Sequence, residues 1–272
     1  RTGTVPAQTQ AKIAPMSVTL PLRISALLCA LLLANCAVNP VSGNPNFVTM
    51  SESQEVSVGR SEDKKVREQY GTYNDPALQE YVSGIGQRLA KSSHRPGLQY
   101  QFTVVDSPEI NAFALPGGYI YITRGILAYL NSEAELAAVL GHEIGHVLAR
   151  HSMQQMAKSG LLSGLVNAAV VATSDGTGNS SQIAQMVGQV VQTKYGRQHE
   201  SESDRIGIQL MLEAGYKPEA LLSVMKVLAE GMNGPRPPEM LSSHPFPETR
   251  AKEIEVYIEF FRKNGPAAEW KG

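Results

Sequence analysis

"LNSEAELAAVLGHEIGHVLARHSMQQ", Leu130 to Gln155, holds three of the chain's six histidines. Leu136, Leu140, Ile144, Val147 and Leu148 recur at helical spacing, which predicts an amphipathic helix. Ser132 is its expected N-cap, and Glu135, three residues on, completes a capping box. On such a helix His142 and His146, four residues apart, share one face, so both imidazoles reach a single ion. Glu143 is offset by one residue, so its carboxylate faces a water on that ion without ligating it. "HEIGH" therefore matches H-E-x-x-H, in which a metal acidifies water and the glutamate takes the proton. His151 lies about 140° round a continuous helix from His146 and is expected to point away, as a surface or helix-end residue.

A catalytic zinc of this kind needs a third protein ligand and keeps its fourth position for water. A third histidine six residues past His146 is ruled out, because Ser152 stands there and Ala149 replaces the accompanying glycine. The next candidates lie in "RQHESESDRIG", Arg197 to Gly207. Glu200 and Asp204 are four apart on one helical face, so one can bind the metal while the other hydrogen-bonds a ligand imidazole. Glu202 faces elsewhere, and His199 is a weaker rival ligand.

Around these motifs the chain reads as one domain of 51–272 with an α+β, predominantly helical fold. "SESQEVSVGRSEDKKVREQYG" and "DPALQEYVSGIGQRLAKSS" read as surface helices, the second capped by Asp75 with Pro76 at its first position. Leu98–Asp106 and "GYIYIT", Gly118 to Thr123, read as strands of one small sheet next to the H-E-x-x-H helix, with "NAFALPGG" as the turn between them. Residues 160–173 are apolar but too short to span a membrane, and are expected to pack in the core. Further helices are expected from about Pro218 to Glu230 and from about Pro247. His94 reads as a surface residue.

With 272 residues, 42% hydrophobic and 18% charged, the chain can bury a sizeable core, and a net charge of −1 gives no footprint for nucleic acid. From Met16, a basic Arg23, the apolar run 24–33 and small residues before Cys36 have the layout of an export signal. "LANC" resembles a lipobox, although Asn35 stands where Gly or Ala is usual. Residues 1–36 thus read as upstream residues plus a lipoprotein-type signal, and 37–50 as a flexible tether. A lipidated Cys36 followed by Ala37 implies anchoring to the inner face of the outer membrane of a Gram-negative bacterium, facing the periplasm. With Cys29 in the removed segment, no disulfide is expected.

Four stretches, "NAFALPGGYIYITRGIL", "ELAAVLGHEIGHVLARH", "RQHESESDRIG" and "SSHPFPETR", occur in the order seen in a known family. Over about Ser51 to Lys263 the chain resembles the zinc endopeptidases that include the type I CAAX prenyl protease and exported bacterial β-barrel assembly-enhancing proteases, a gluzincin family. The resemblance implies a zincin-type domain with one Zn2+ on His142, His146 and Glu200. It implies Glu143 as general base and Asp204 as the residue orienting a ligand. His244 would lie near the metal, taking its open position in a latent state or assisting the transition state, and Arg250 matches a family arginine. No tetratricopeptide-repeat domain is expected here, so the assembly-enhancing protease's own partners are not carried over as expectations, and without multiple membrane helices no prenylated substrate is expected.

A metallopeptidase holds its substrate extended, for which a free strand edge serves. "GYIYIT" is the expected edge, with Asn111, Ala112, Gly118, Tyr119 and Tyr121 lining the cleft. Backbone recognition suits unfolded or misassembled envelope polypeptides as substrates. The rival from another class is a chaperone-like periplasmic lipoprotein that binds outer-membrane proteins and keeps a latent or structural metal site.

Overall fold

The computed structural model describes residues 36–38, 45–48, 50–95, 97–159, 194–231, 238, 240–244 and 249–266. The export signal before Cys36, the apolar run 160–173, and residues 174–193, 232–237 and 245–248 lie outside them. Contacts divide the chain into Arg1–Cys36 and Ala37–Gly272, and the described residues after Cys36 all belong to the second unit. Among the described residues no helix is long and apolar enough to cross a membrane. In the stretch read as a tether, Cys36–Val38 (β1) and Pro45–Phe47 (β2) pair as a two-stranded sheet.

Helix α1, Glu52–Tyr70, opens with a complete capping box between Ser51 and Gln54. Helix α2, Pro76–Ala90, is capped by Asp75, whose side chain accepts from the Leu78 amide. Three strands follow: β3, Gln101–Val105, β4, Ala112–Leu115, and β5, Tyr119–Thr123. Their spatial order is β3-β5-β4, with β5 parallel to β3 and antiparallel to β4.

Two expectations fail here. "NAFALPGG" is not a turn throughout, because Ala112–Leu115 is a strand and only Pro116, Gly117 and Gly118 make the reversal. Gly117 and Gly118 have φ of 79° and 92°, a conformation that favours glycine. β5 is then the central strand, with both edges paired, so "GYIYIT" offers no free ladder. Its alternation of tyrosine and isoleucine separates two buried faces rather than a buried face from a wet one. Ile120 and Ile122 join the main core, while Tyr119 and Tyr121 pack with Val66 of α1, Phe113 and Leu115. The Tyr121 hydroxyl donates to Asp63 on α1 at 2.6 Å. Among the described residues the strand with an unpaired edge beside the H-E-x-x-H helix is β4, whose Ala112 and Ala114 share the main core with that helix.

After the short helix α3, Arg124–Leu127, comes α4, Glu133–Leu148, which carries the motif. Ser132 caps it as expected, accepting from the Glu135 amide, but the Glu135 carboxylate takes the Asn131 amide, one residue short of a full capping box. Helix α5, Arg197–Glu213, starts after Gly196, and α6, Ala220–Gly231, α7, Met240–Ser243, and α8, Arg250–Asn264, complete the described elements.

Helices α4 and α5 cross with their backbones in contact. A Cβ added to Gly145 would meet Ser203 O at 2.8 Å and Ser203 Cα at 2.9 Å, and one at Gly207 would meet Gly141 C at 3.1 Å. Gly145→Ala is therefore expected to lower the thermal midpoint, because overpacking against backbone costs about 1–3 kcal/mol and exceeds the roughly 1 kcal/mol that alanine gains in helix propensity. Gly84→Ala, on an exposed face of α2 with nothing within 4 Å of the new Cβ, is the control and should raise it. Thermal unfolding of both variants checks the pair, and a Gly145→Ala midpoint at or above wild type would contradict the close crossing.

Candidate metal centre

On α4, His142 and His146 project from one face, as their spacing requires, and both are buried. Across the crossing, α5 supplies Glu200 and Asp204, and the residue just past α7 supplies His244, all buried. His142, His146, Glu200 and His244 each offer one ligand atom, and the four atoms lie within 4.8 Å of one another. His142 Nε2 is 3.0 Å from His146 Nε2 and 3.5 Å from Glu200 Oε2, and His146 Nε2 is 3.4 Å from Glu200 Oε1. A tetrahedral ion with bonds of about 2.0–2.1 Å separates its ligand atoms by roughly 3.3–3.4 Å. Two imidazole nitrogens and a carboxylate at these separations fit such an ion.

His244 Nδ1 lies 3.3 Å from His142 Nε2 and 3.0 Å from Glu200 Oε1, so it takes a further corner of the same cluster. Its other nitrogen, Nε2, is 3.6 Å from Glu143 Oε1. Glu143 is fully buried, and among the described residues neither of its oxygens accepts a hydrogen bond. A buried carboxylate left without partners is costly in an ordinary core. Burial raises its pKa above the usual glutamate value, with the neighbouring histidines opposing, and a raised pKa suits a group that must both take and return a proton.

Asp204 lies outside this cluster. Its Oδ1 accepts from His142 Nδ1 at 2.9 Å and from Arg250 Nη2 at 2.7 Å, while Arg250 Nε donates to Oδ2. Burial works to raise the Asp204 pKa, yet Arg250 and His142 hold it below the usual range. Arg250 Nη1 also reaches Glu200 Oε2 at 2.8 Å. This one guanidinium thus balances two buried carboxylates, which would otherwise repel each other and favour protonation.

The second histidine pair departs from expectation. His151 is fully buried, with its Nδ1 3.0 Å from His146 Nδ1 and its Nε2 3.1 Å from Glu202 Oε2. The 140° extrapolation assumed one continuous helix, but α4 stops at Leu148 and Arg150 adopts φ 58°. A new helical stretch over 151–159 starts there and turns His151 back toward His146. Glu202 does face away from Glu200, and it meets His151. His199 is not in the cluster; its ring stacks on His151 at 4.2 Å. Tyr195, which no motif singled out, lays its ring 3.9 Å from that of His146 and hydrogen-bonds Ser152 Oγ at 2.8 Å. No pattern in the sequence pointed to it, since it precedes the first turn of α5 with no periodic neighbour. His94 is exposed, as expected.

Of the residues expected to line a cleft, Tyr119 and Tyr121 face α1 on the side of the sheet away from α4, and Gly118 lies in the β4–β5 reversal. Asn111 and Ala112 stand at the head of β4. The Asn111 backbone exchanges hydrogen bonds with Thr123, and its buried Oδ1 has no partner among the described residues.

Comparison with known proteins agrees with this geometry. The chain is 32% identical over 222 residues to the β-barrel assembly-enhancing protease of Escherichia coli (strain K12), covering 78% of this chain and 45% of that protein. It is 33% identical over 244 residues to the putative β-barrel assembly-enhancing protease of Vibrio cholerae, covering 82% and 50%. With the mitochondrial metalloendopeptidase OMA1 of Schizosaccharomyces pombe it shares 32% identity over 226 residues, covering 80% and 65%. The chain thus spans about half the length of the bacterial relatives it matches. The model of peptidase family M48 matches residues 76–258, a span that contains the four clustered side chains, Glu143 and the Asp204–Arg250 pair, and the chain belongs to that family.

Proposed function

We propose that the protein is an exported, zinc-dependent metalloendopeptidase that hydrolyses peptide bonds of unfolded or misassembled cell-envelope proteins. The observation that carries this reading is Glu143: a fully buried carboxylate with no hydrogen bond among the described residues, next to two imidazole nitrogens and a carboxylate spaced for a tetrahedral ion. A structural metal site has no use for such a group. The names of the bacterial relatives, β-barrel assembly-enhancing proteases, support the envelope as the place of action.

His142, His146 and Glu200 would hold the ion, which when bound supplies Lewis-acid polarisation of the scissile carbonyl and acidifies water. Glu143 takes a proton from the attacking water on a carboxylate oxygen and returns it to the leaving amine nitrogen. Asp204 fixes His142 by accepting from its Nδ1–H, and Arg250 keeps Asp204 and Glu200 ionised. His244, at the further corner and beside Glu143, holds this arrangement latent and must withdraw before substrate enters. An extended polypeptide would add along the unpaired edge of β4, with Asn111 and Ala112 at the head of the cleft. Export by the signal ahead of Cys36 and anchoring through a lipid on that cysteine complete the reading.

Glu143→Gln is expected to leave zinc content unchanged and to lower casein hydrolysis by about 10²–10⁴-fold, the usual worth of a positioned acid–base group. Full activity in that variant would sink the mechanism, and an unaltered envelope phenotype on replacing the wild-type gene with it would favour the chaperone-like alternative. Treatment of wild-type protein with a chelator should abolish cleavage, and added zinc should restore it; chelator-resistant cleavage counts against a metal role. His244→Ala should keep bound zinc and show faster casein hydrolysis than wild type, measured with zinc in excess. A slower variant would assign His244 to transition-state assistance instead.

A further inference from the structure

We propose that His151 and Glu202 form a positioning relay that fixes the tautomer and ring orientation of His146 as a metal ligand, a role that rests on the metallopeptidase reading above. An imidazole binds a metal through an unprotonated nitrogen, so its other nitrogen carries the hydrogen and needs an acceptor. His142 meets this need directly, donating from Nδ1 to Asp204. His146 has no carboxylate in that place. Its Nε2 lies in the ligand cluster, so the hydrogen belongs on Nδ1, and the acceptor facing it at 3.0 Å is His151 Nδ1.

The remaining hydrogens follow link by link. If His151 Nδ1 accepts, the His151 hydrogen sits on Nε2, and Nε2 faces Glu202 Oε2 at 3.1 Å. Glu202 thereby stands to His146, through one neutral imidazole, as Asp204 stands to His142. Ser203 Oγ is 3.3 Å from the same His151 Nδ1 and approaches it less closely than His146 does. Arg205 Nη2 lies 3.8 Å from the other oxygen of Glu202, Oε1.

The backbone is arranged to bring His151 here. Arg150 is the one non-glycine residue with positive φ among the described residues, a conformation that persists only where the surroundings hold it. Its Nε donates to Glu55 Oε2 and its Nη2 to Met50 O, both at 2.8 Å. Arg95 holds the end of α4 from the other side, donating to Val147 O at 3.0 Å and to Glu55. Glu55 of α1 therefore pins the bend that folds His151 back, and the rings of Tyr195 and His199 clamp the pair of imidazoles from either end.

The test is zinc affinity, measured by competition between the apoprotein and a chromophoric chelator, for wild type, His151→Leu, His151→Asn and Glu202→Ala. Loss of a partner to a ligand imidazole lowers metal affinity by about 10–100-fold, and His151→Leu should show that loss with the apoprotein's melting unchanged. Asparagine places its Oδ1 near the position of the imidazole Nδ1 and still accepts from His146, so His151→Asn should stay within a few-fold of wild type. Glu202→Ala should fall between them. Wild-type affinity in His151→Leu, or an Asn variant no tighter than the Leu variant, would overturn the relay and recast His151 as core filling. Should His151→Leu fail to fold, Glu202→Ala decides alone: weakened zinc with normal melting supports the relay, and unaltered affinity overturns it. Failure of wild type to take up zinc at all would strike down the metallopeptidase reading itself, so the two failures are distinguishable.

Discussion

Helices α4 and α5 cross so closely that Gly145 and Gly207 leave too little room for a Cβ, and that approach sets the scale of everything in the centre. It brings His142 and His146 from one helix within 3.5 Å of Glu200 on the other. The donor atoms of the two helices lie 3.4–3.5 Å apart where the backbones are nearly in contact. Gly141 and Gly145 flank His142, Glu143 and Ile144, and Ser203 and Gly207 flank Asp204 on the opposing helix. The same small residues that permit the crossing therefore frame the residues that use it.

Burial imposes the second constraint. Glu143, Glu200 and Asp204 are all withdrawn from water, and a buried charge is tolerable only when it is paired. Arg250 supplies that pairing for Glu200 and Asp204, which leaves Glu143 as the carboxylate of the centre without a hydrogen bond among the described residues. Cores do not retain such groups for stability, and a departure from full satisfaction at a clustered site marks function. Asp204 meets His142 directly, while Glu202 meets His151, which in turn meets His146.

Much of the fold was legible because local rules governed it. Asp75 and Ser132 capped the helices their side chains advertised, and α2, α4 and α6 fell close to their apolar periodicity. "GYIYIT" misled for a definite reason: period two marks a strand with two unlike faces, and it carries no information on whether both are buried or which strands lie alongside. "AFAL" escaped notice because four small and apolar residues without alternation have no period to read, and β5 recruits them as a partner. His151 was misplaced because helical angles extrapolate only as far as the helix does. The bend at Arg150 depends on Glu55, almost a hundred residues earlier.

The sequence by itself determined the chemistry: the i, i+4 spacing on α4 puts two imidazoles on one face, and the same spacing on α5 offers two carboxylates, both consequences of helical geometry within a single segment. Which carboxylate meets the imidazoles, whether His244 reaches the cluster, and what stands behind His146 were decided only in the tertiary structure. Those relations join residues tens to a hundred positions apart, across a helix crossing and a pinned bend. No local period encodes such distances, because they arise from how buried surfaces and buried charges satisfy one another once the chain has closed.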